Sequence, residues 1–162
     1  MPNPLTPTDR YISPGTEKTY WIPEIADIND PQRAEIEAGT DLSAEIASKT
    51  GWEVRADRVP VPDEGSKFTG RITGRVNPGD AQITFYASRD TQDIRTLLHR
   101  GDKGYIFIAD GGDVPGQIAR VFAVEVAAVT PTTNSEGSEA KRIIVDFAIT
   151  DVAEEVIIPE LS

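Results

Sequence analysis

No cysteine occurs anywhere in the 162 residues, and histidine occurs once, at His99. The first absence excludes a disulfide framework, thiolate metal sites, CxxC redox chemistry and a cysteine nucleophile. The second excludes a His-cluster metal centre and makes any hydrolase relay depend on one imidazole. Positive charge is also scarce, with 16 Lys and Arg against 27 Asp and Glu and a formal charge of −11. That sign repels nucleic-acid backbones and anionic lipid surfaces over about a Debye length, ~10 Å in moderate salt. Long apolar runs are missing too: none approaches the ~20 residues of a spanning helix. Residues 1–11 mix polar side chains with three prolines where a signal peptide would have an apolar centre. The expectation is a protein without membrane attachment, made in the cytoplasm.

What is present is enough apolar content, 38%, to fill the core of one domain. Residues 1–15 are rich in Pro and small polar side chains without periodicity and read as an arm. Residues 16–26 carry Tyr20, Trp21 and Ile22 and read as a first strand ending near Pro23. Asp30, Pro31 and Gly39 have the order of an N-cap, a first helical residue and a terminator around a two-turn helix. A second helical turn is expected between Asp41 and Gly51, with Leu42 and Ile46 on one face.

Period-two alternation then marks strands at 52–61, 68–76, 81–88, 104–110, 119–130 and 141–150. In 68–76, Phe68, Ile72 and Val76 share a face with Gly70 and Gly74, opposite Thr69, Arg71, Thr73 and Arg75. Asn77-Pro78-Gly79-Asp80 reads as the turn of a hairpin joining this strand to 81–88. A helix over about residues 91–100 is expected from Ile94, Leu97 and Leu98, capped by Asp90 or Thr91 and ended at Gly101. The fold class this implies is mainly β: a β-sandwich or partly closed barrel with one flanking α-helix and extended terminal arms. The expected division is an N-terminal arm at 1–15, a sandwich at 16–151 and a C-terminal arm at 152–162.

No constellation points to catalysis, a cofactor or a metal. Asp110-Gly111-Gly112-Asp113 offers two carboxylates, too few to hold a hard cation, and reads as a glycine-permitted turn. His99 falls at a helix end, where a histidine complements the helix dipole. Glu154 with Glu155, and Glu35 with Glu37, read as solvated acidic positions and not as a glycosidase pair. Trp21, Trp52, Phe68, Phe85, Phe107, Phe122 and Phe147 sit at alternating positions and read as core; a sugar-binding cleft is the other use of such a set. The acidic charge suits a surface that must surround DNA without gripping it, and equally suits plain solubility.

Several segments together resemble one family. They are Gly39-Thr40-Asp41-Leu42 with Gly51-Trp52, Ile83-Thr84-Phe85-Tyr86-Ala87 before Asp93-Ile94-Arg95, and Leu97-Leu98-His99-Arg100-Gly101. Gly104-Tyr105-Ile106, the run from Asp110 to Gly116 and Phe147-Ala148-Ile149-Thr150-Asp151 continue the likeness. The chain resembles the major tail tube proteins of long-tailed bacteriophages, nearest to those of phages that infect actinobacteria.

The resemblance implies a virion protein assembled as stacked, hexameric rings around a channel for the genome, without specific DNA binding in the lumen. It implies as partners the chain itself and the tape measure, tail terminator and tail tip proteins. Subunit contacts are expected from sheet edges and from apolar residues of strands and termini: Phe68, Ile72, Ile83, Phe85, Val156, Ile157 and Ile158. A basic face at Arg71 and Arg75 departs from a uniformly acidic conduit. A head–tail joining or injection-system tube protein, and a carbohydrate- or receptor-binding sandwich, are the alternatives.

Overall fold

A computed structural model describes residues 1–87, 94–132 and 140–161. Among these residues the chain is mainly β, with nine strands and two short helices. In order they are β1 (Lys18–Ile22), α1 (Arg33–Glu37), β2 (Thr40–Asp41), β3 (Ile46–Thr50), β4 (Val54–Val61), β5 (Gly70–Pro78), β6 (Ala81–Tyr86), α2 (Ile94–Leu97), β7 (Lys103–Ala109), β8 (Ile118–Pro131) and β9 (Arg142–Ile157). Seven strands form one sheet in the order β2-β1-β7-β8-β9-β6-β3, and β4 and β5 form a separate two-stranded sheet. Two compact units divide the chain. The first comprises 1–44, 104–122 and 152–162, the second 45–103 and 123–151.

In the first unit, β1 pairs antiparallel with β2 and with β7, Tyr20 lying opposite Phe107 and Trp21 opposite Ile106. The core gathers Ile22, Ile25, Ile36, Phe107, Ala109, Ala119, Val121, Ala153, Val156 and Ile158. Gly104 permits the close layer beside it, because a Cβ there would fall 2.6 Å from the Trp21 ring. Helix α1 starts later than the sequence suggests. Gln32 is the N-cap, and Glu35 accepts its N–H at 2.8 Å and the Ala26 N–H at 2.7 Å. The Glu35 carboxylate therefore satisfies the N–H of the N-cap residue and ties down the incoming loop.

The C-terminal residues correct an expectation. Residues 152–157 continue β9, and Val156 and Ile158 are buried within this chain. The backbone N–H of Ile158 donates to Gln117, and its carbonyl accepts from the Gly116 N–H, both at 2.9 Å. The segment is therefore part of the subunit core and not a free arm. Residues 1–10, at the other end, have no regular structure and are exposed.

In the second unit, β6 pairs with β9 in the register Ala81↔Phe147, Ile83↔Val145, Phe85↔Ile143, and with β3 on its other side. The alternation of β6 is real burial: Ala81, Ile83 and Phe85 face inward and Gln82 and Tyr86 outward. Trp52 packs at 5.4 Å against Phe147 and donates its indole N–H to the Gln82 carbonyl at 3.0 Å. The helical turn expected over 41–51 shrinks to a 3-10 turn at Ser43–Glu45, followed by strand β3. Pairing with β6 decides the conformation there, against a weak local preference. Helix α2 buries Ile94, with buried Leu98 just beyond its end; its expected cap and first residues lie outside the described residues.

The hairpin expected between 68–76 and 81–88 does not form. Strand β5 pairs instead with β4, and the turn-rich segment 62–69 joins them, with Asp63 accepting the Gly65 N–H at 2.8 Å. At the base of this hairpin the chain passes close to itself. Gly51 has φ +76°, and a Cβ there would meet the Asp80 carbonyl oxygen at 1.9 Å. The Gly79 N–H donates to Glu53 at 2.9 Å. Gly79 and Asp80 thus redirect the chain into the larger sheet and do not fold β6 back on β5.

Candidate functional site

The β4–β5 hairpin is two-faced. Residues paired across an antiparallel ladder share a face, so the pairs Val54↔Pro78, Ala56↔Val76, Val59↔Ile72 and Val61↔Gly70 compose one apolar side. Gly74 lies on the same side, its missing Cβ occupied by Val59 Cγ2 at 2.9 Å. The pairs Arg55↔Asn77, Arg58↔Thr73 and Pro60↔Arg71 compose the other side, which Arg75 joins by alternation. Among the described residues none covers the apolar side: Val59 is 43%, Ile72 60%, Val76 62% and the adjoining Phe68 79% exposed. An isolated two-stranded ribbon is marginal in water, and a contiguous apolar patch at one marks a contact surface.

The seven sequence-selected interface residues separate into two groups. Phe68, Ile72 and Ile157 are exposed and open to a partner. Ile83 and Phe85 are completely buried in the second unit, and Val156 and Ile158 in the first. Their apolar surface is already removed from water inside the subunit, so they support the fold and present nothing outward. Of the seven aromatics read as core, six are buried and Phe68 is the exception. That distribution leaves no aromatic platform for a sugar among them.

The acids of the loop after β7 have structural employment. Gly112, at φ +91°, turns the loop after β7, and its two acids are each held by an arginine: Asp110 by Arg120 at 2.8 Å, Asp113 by Arg33 at 2.9 Å. His99 donates its backbone N–H to Asp102 at 2.9 Å in the turn after α2.

Arg33 is the feature that the sequence hides. Its guanidinium, 6% exposed, binds both Asp113 oxygens through Nη1, the Pro159 carbonyl through Nη2 at 2.6 Å, and approaches the Glu160 carbonyl through Nε at 3.4 Å. Tyr20, stacked on Phe107, donates its hydroxyl to Asp113 at 3.2 Å. Burial, and then the neighbouring Asp113 carboxylate, push the Tyr20 phenol well above its ordinary value. The Asp113 hydrogen bond likewise raises Arg33, which stays charged. In QRAEIEAG an arginine reads as a solvated helix charge; no local pattern marks it as buried.

Fold and site together define a class: a β-rich protein with a two-stranded hairpin whose apolar side is exposed. Comparison with known proteins agrees. The phage tail tube protein family profile matches residues 4–160, and the chain belongs to that family. No curated protein sequence matches it. Among solved structures, a chain in the structure of the anti-feeding prophage cap, the cap that terminates its tube, is similar at TM-score 0.60 and 10% identity, covering 94% of this chain and 96% of that one. A chain of the anti-feeding prophage baseplate is similar at TM-score 0.57 and 7% identity, covering 94% and 97%. At such identities the likeness is one of fold.

Proposed function

We propose that this chain is the repeating subunit of a phage tail tube, assembling as hexameric rings that stack around the channel through which the genome leaves the virion. The observation that carries the reading is the family match over residues 4–160. The uncovered apolar face of the β4–β5 hairpin supports it, since a closed assembly is what would remove that face from water. In this reading Phe68, Ile72 and Ile157 contact neighbouring subunits, and the exposed arm at 1–15 contributes further contacts. Tape measure, tail terminator and tail tip proteins are the other partners, assembly takes place in the host cytoplasm, and the host is an actinobacterium. DNA passes without specific contacts.

A role at a tube end is the second reading, favoured by the likeness to a tube-terminating cap. Long tubes of uniform width separate the first from the second, which would give single rings.

The test uses Ile72, whose 60% exposure lets it change without disturbing the subunit core. Burying such a side chain at a contact is worth about 1.5–3 kcal/mol, and burying a carboxylate in its place costs more. Ile72→Asp is expected to raise the concentration needed for assembly at least ~10-fold, while circular dichroism and thermal melting of the free subunit stay unchanged. Sedimentation velocity across a concentration series measures this. Assembly at the wild-type concentration would remove the hairpin from the contact.

A further inference from the structure

The arginine face of the hairpin has no use in the proposed contact through its apolar side, and it stands out against the charge of the rest of the chain. Residues 54–78 hold five basic and three acidic side chains, in a chain that carries −11 overall. The first compact unit, by contrast, holds thirteen acidic and four basic side chains. Arg55, Arg58, Arg71 and Arg75 are all exposed. Arg55 pairs with Glu53 at 3.1 Å across two largely exposed side chains, a contact of little worth in water. Among the described residues, Arg58, Arg71 and Arg75 make no ion pair within the chain.

We infer that this arginine face docks on the acidic first unit of a second copy of the chain, so that the hairpin is held from both sides in the assembly, by apolar burial on one and by charge on the other. The inference rests on the self-assembly proposed above and adds the partner of the second face. Charge complementarity selects the occupant. A second copy presents an excess of nine carboxylates in that unit, and guanidinium groups pair with carboxylates in two-pronged geometry. Duplex DNA offers anions as well, and the −11 of each subunit opposes approach to DNA and to a second copy alike; the second copy is favoured because the uncovered apolar side of the same hairpin already calls for association between copies. The arrangement also bears on register: an apolar face alone tolerates sliding, whereas specific pairing of arginines with carboxylates favours one position.

The experiment measures the assembly midpoint concentration of the full chain by light scattering, for wild type, Arg71→Glu/Arg75→Glu and Arg55→Gln/Arg58→Gln. NaCl is varied from about 0.01 to about 1 M, over which the screening length falls from ~30 to ~3 Å. The charge-reversal midpoint is taken as a ratio to that of a charge-matched control at the same salt, Arg100→Glu/Lys103→Glu, because the reversal itself takes the formal charge of each copy from −11 to about −15. Circular dichroism confirms that the free variants are folded, and a fluorescent DNA duplex is titrated into all four proteins. The expected result is a midpoint ratio of at least ~10 for the charge reversal at low salt, shrinking towards 1 at high salt. The glutamine variant should show a smaller shift in the same direction. If the charge reversal assembles like its control and the glutamine variant like wild type at every salt concentration, the inference falls and the tube reading stands. If they do so but lose binding to the duplex, the arginine face belongs to DNA. If wild type itself forms no rings or tubes, the inference falls together with the reading beneath it.

Discussion

A chain ended at Glu154 is expected to lose its cooperative fold, and not merely a contact between subunits. The missing eight residues include Val156 and Ile158, each 1% exposed in the core of the first unit. They also include the Ile158 backbone groups paired with Gly116 and Gln117 and the Pro159 and Glu160 carbonyls that Arg33 binds. Two buried aliphatic side chains are worth about 1.5–3 kcal/mol each in transfer alone. With the broken backbone pairs and the stranded guanidinium, the loss approaches the ~5–15 kcal/mol that holds a domain folded. Far-UV circular dichroism with a thermal melt measures it. A truncated chain melting within a few degrees of the full one would restore the C-terminal segment as a separable arm.

Asp113→Ala is the point substitution with the largest expected effect. It leaves the Arg33 guanidinium buried beside two carbonyls with its main anionic partner gone, a situation that costs about 3–5 kcal/mol. Arg33→Met is expected to cost less, because it removes the charge and keeps an apolar stem in the same space. Urea unfolding of both variants orders them, and a loss for Arg33→Met as large as that for Asp113→Ala would contradict a cost set by the stranded charge.

The pH dependence comes from Tyr20 in the same cluster. Its folded pKa lies above the ordinary value near 10. The unfolded chain therefore ionises first, and this contribution to stability is present in full below pH ~10 and is lost as pH rises beyond it. Tyr20→Phe is expected to flatten that alkaline decline. An unchanged decline in this variant would assign it to other groups.

Much of the fold is legible from alternation. The alternation at 81–88, 104–110 and 141–150 marks strands, and β6, β7 and β9 lie there, with Ile83 and Phe85, expected at a contact between subunits, buried within the chain instead. Period two marks a strand without naming its neighbour, which is why the sequence suggests β6 as the partner of β5 while the structure pairs it with β4. The last part of β9 escapes for a different reason. Its buried residues Ala153 and Val156 are three apart, with Glu154 and Glu155 between them, so the alternation breaks while the strand continues.

The exposed apolar side of the hairpin is half legible for a related reason. Phe68, Ile72 and Val76 lie on one side of a strand by spacing alone, but whether their own chain covers that side depends on the tertiary arrangement. Ile83 and Phe85 carry the same pattern and are covered; Ile72 and Val76 are not. Arg33 is unreadable because its burial is imposed by residues far along the chain, Asp113, Pro159 and Glu160.

Electron microscopy of the purified full-length protein over a concentration series tests self-assembly into a tube most directly. The predicted images are rings at low concentration and, at higher concentration, unbranched tubes of one diameter with six-fold end views and a continuous central channel. Monodisperse single subunits at every concentration, in samples seeded with pre-formed tails and unseeded alike, would contradict it.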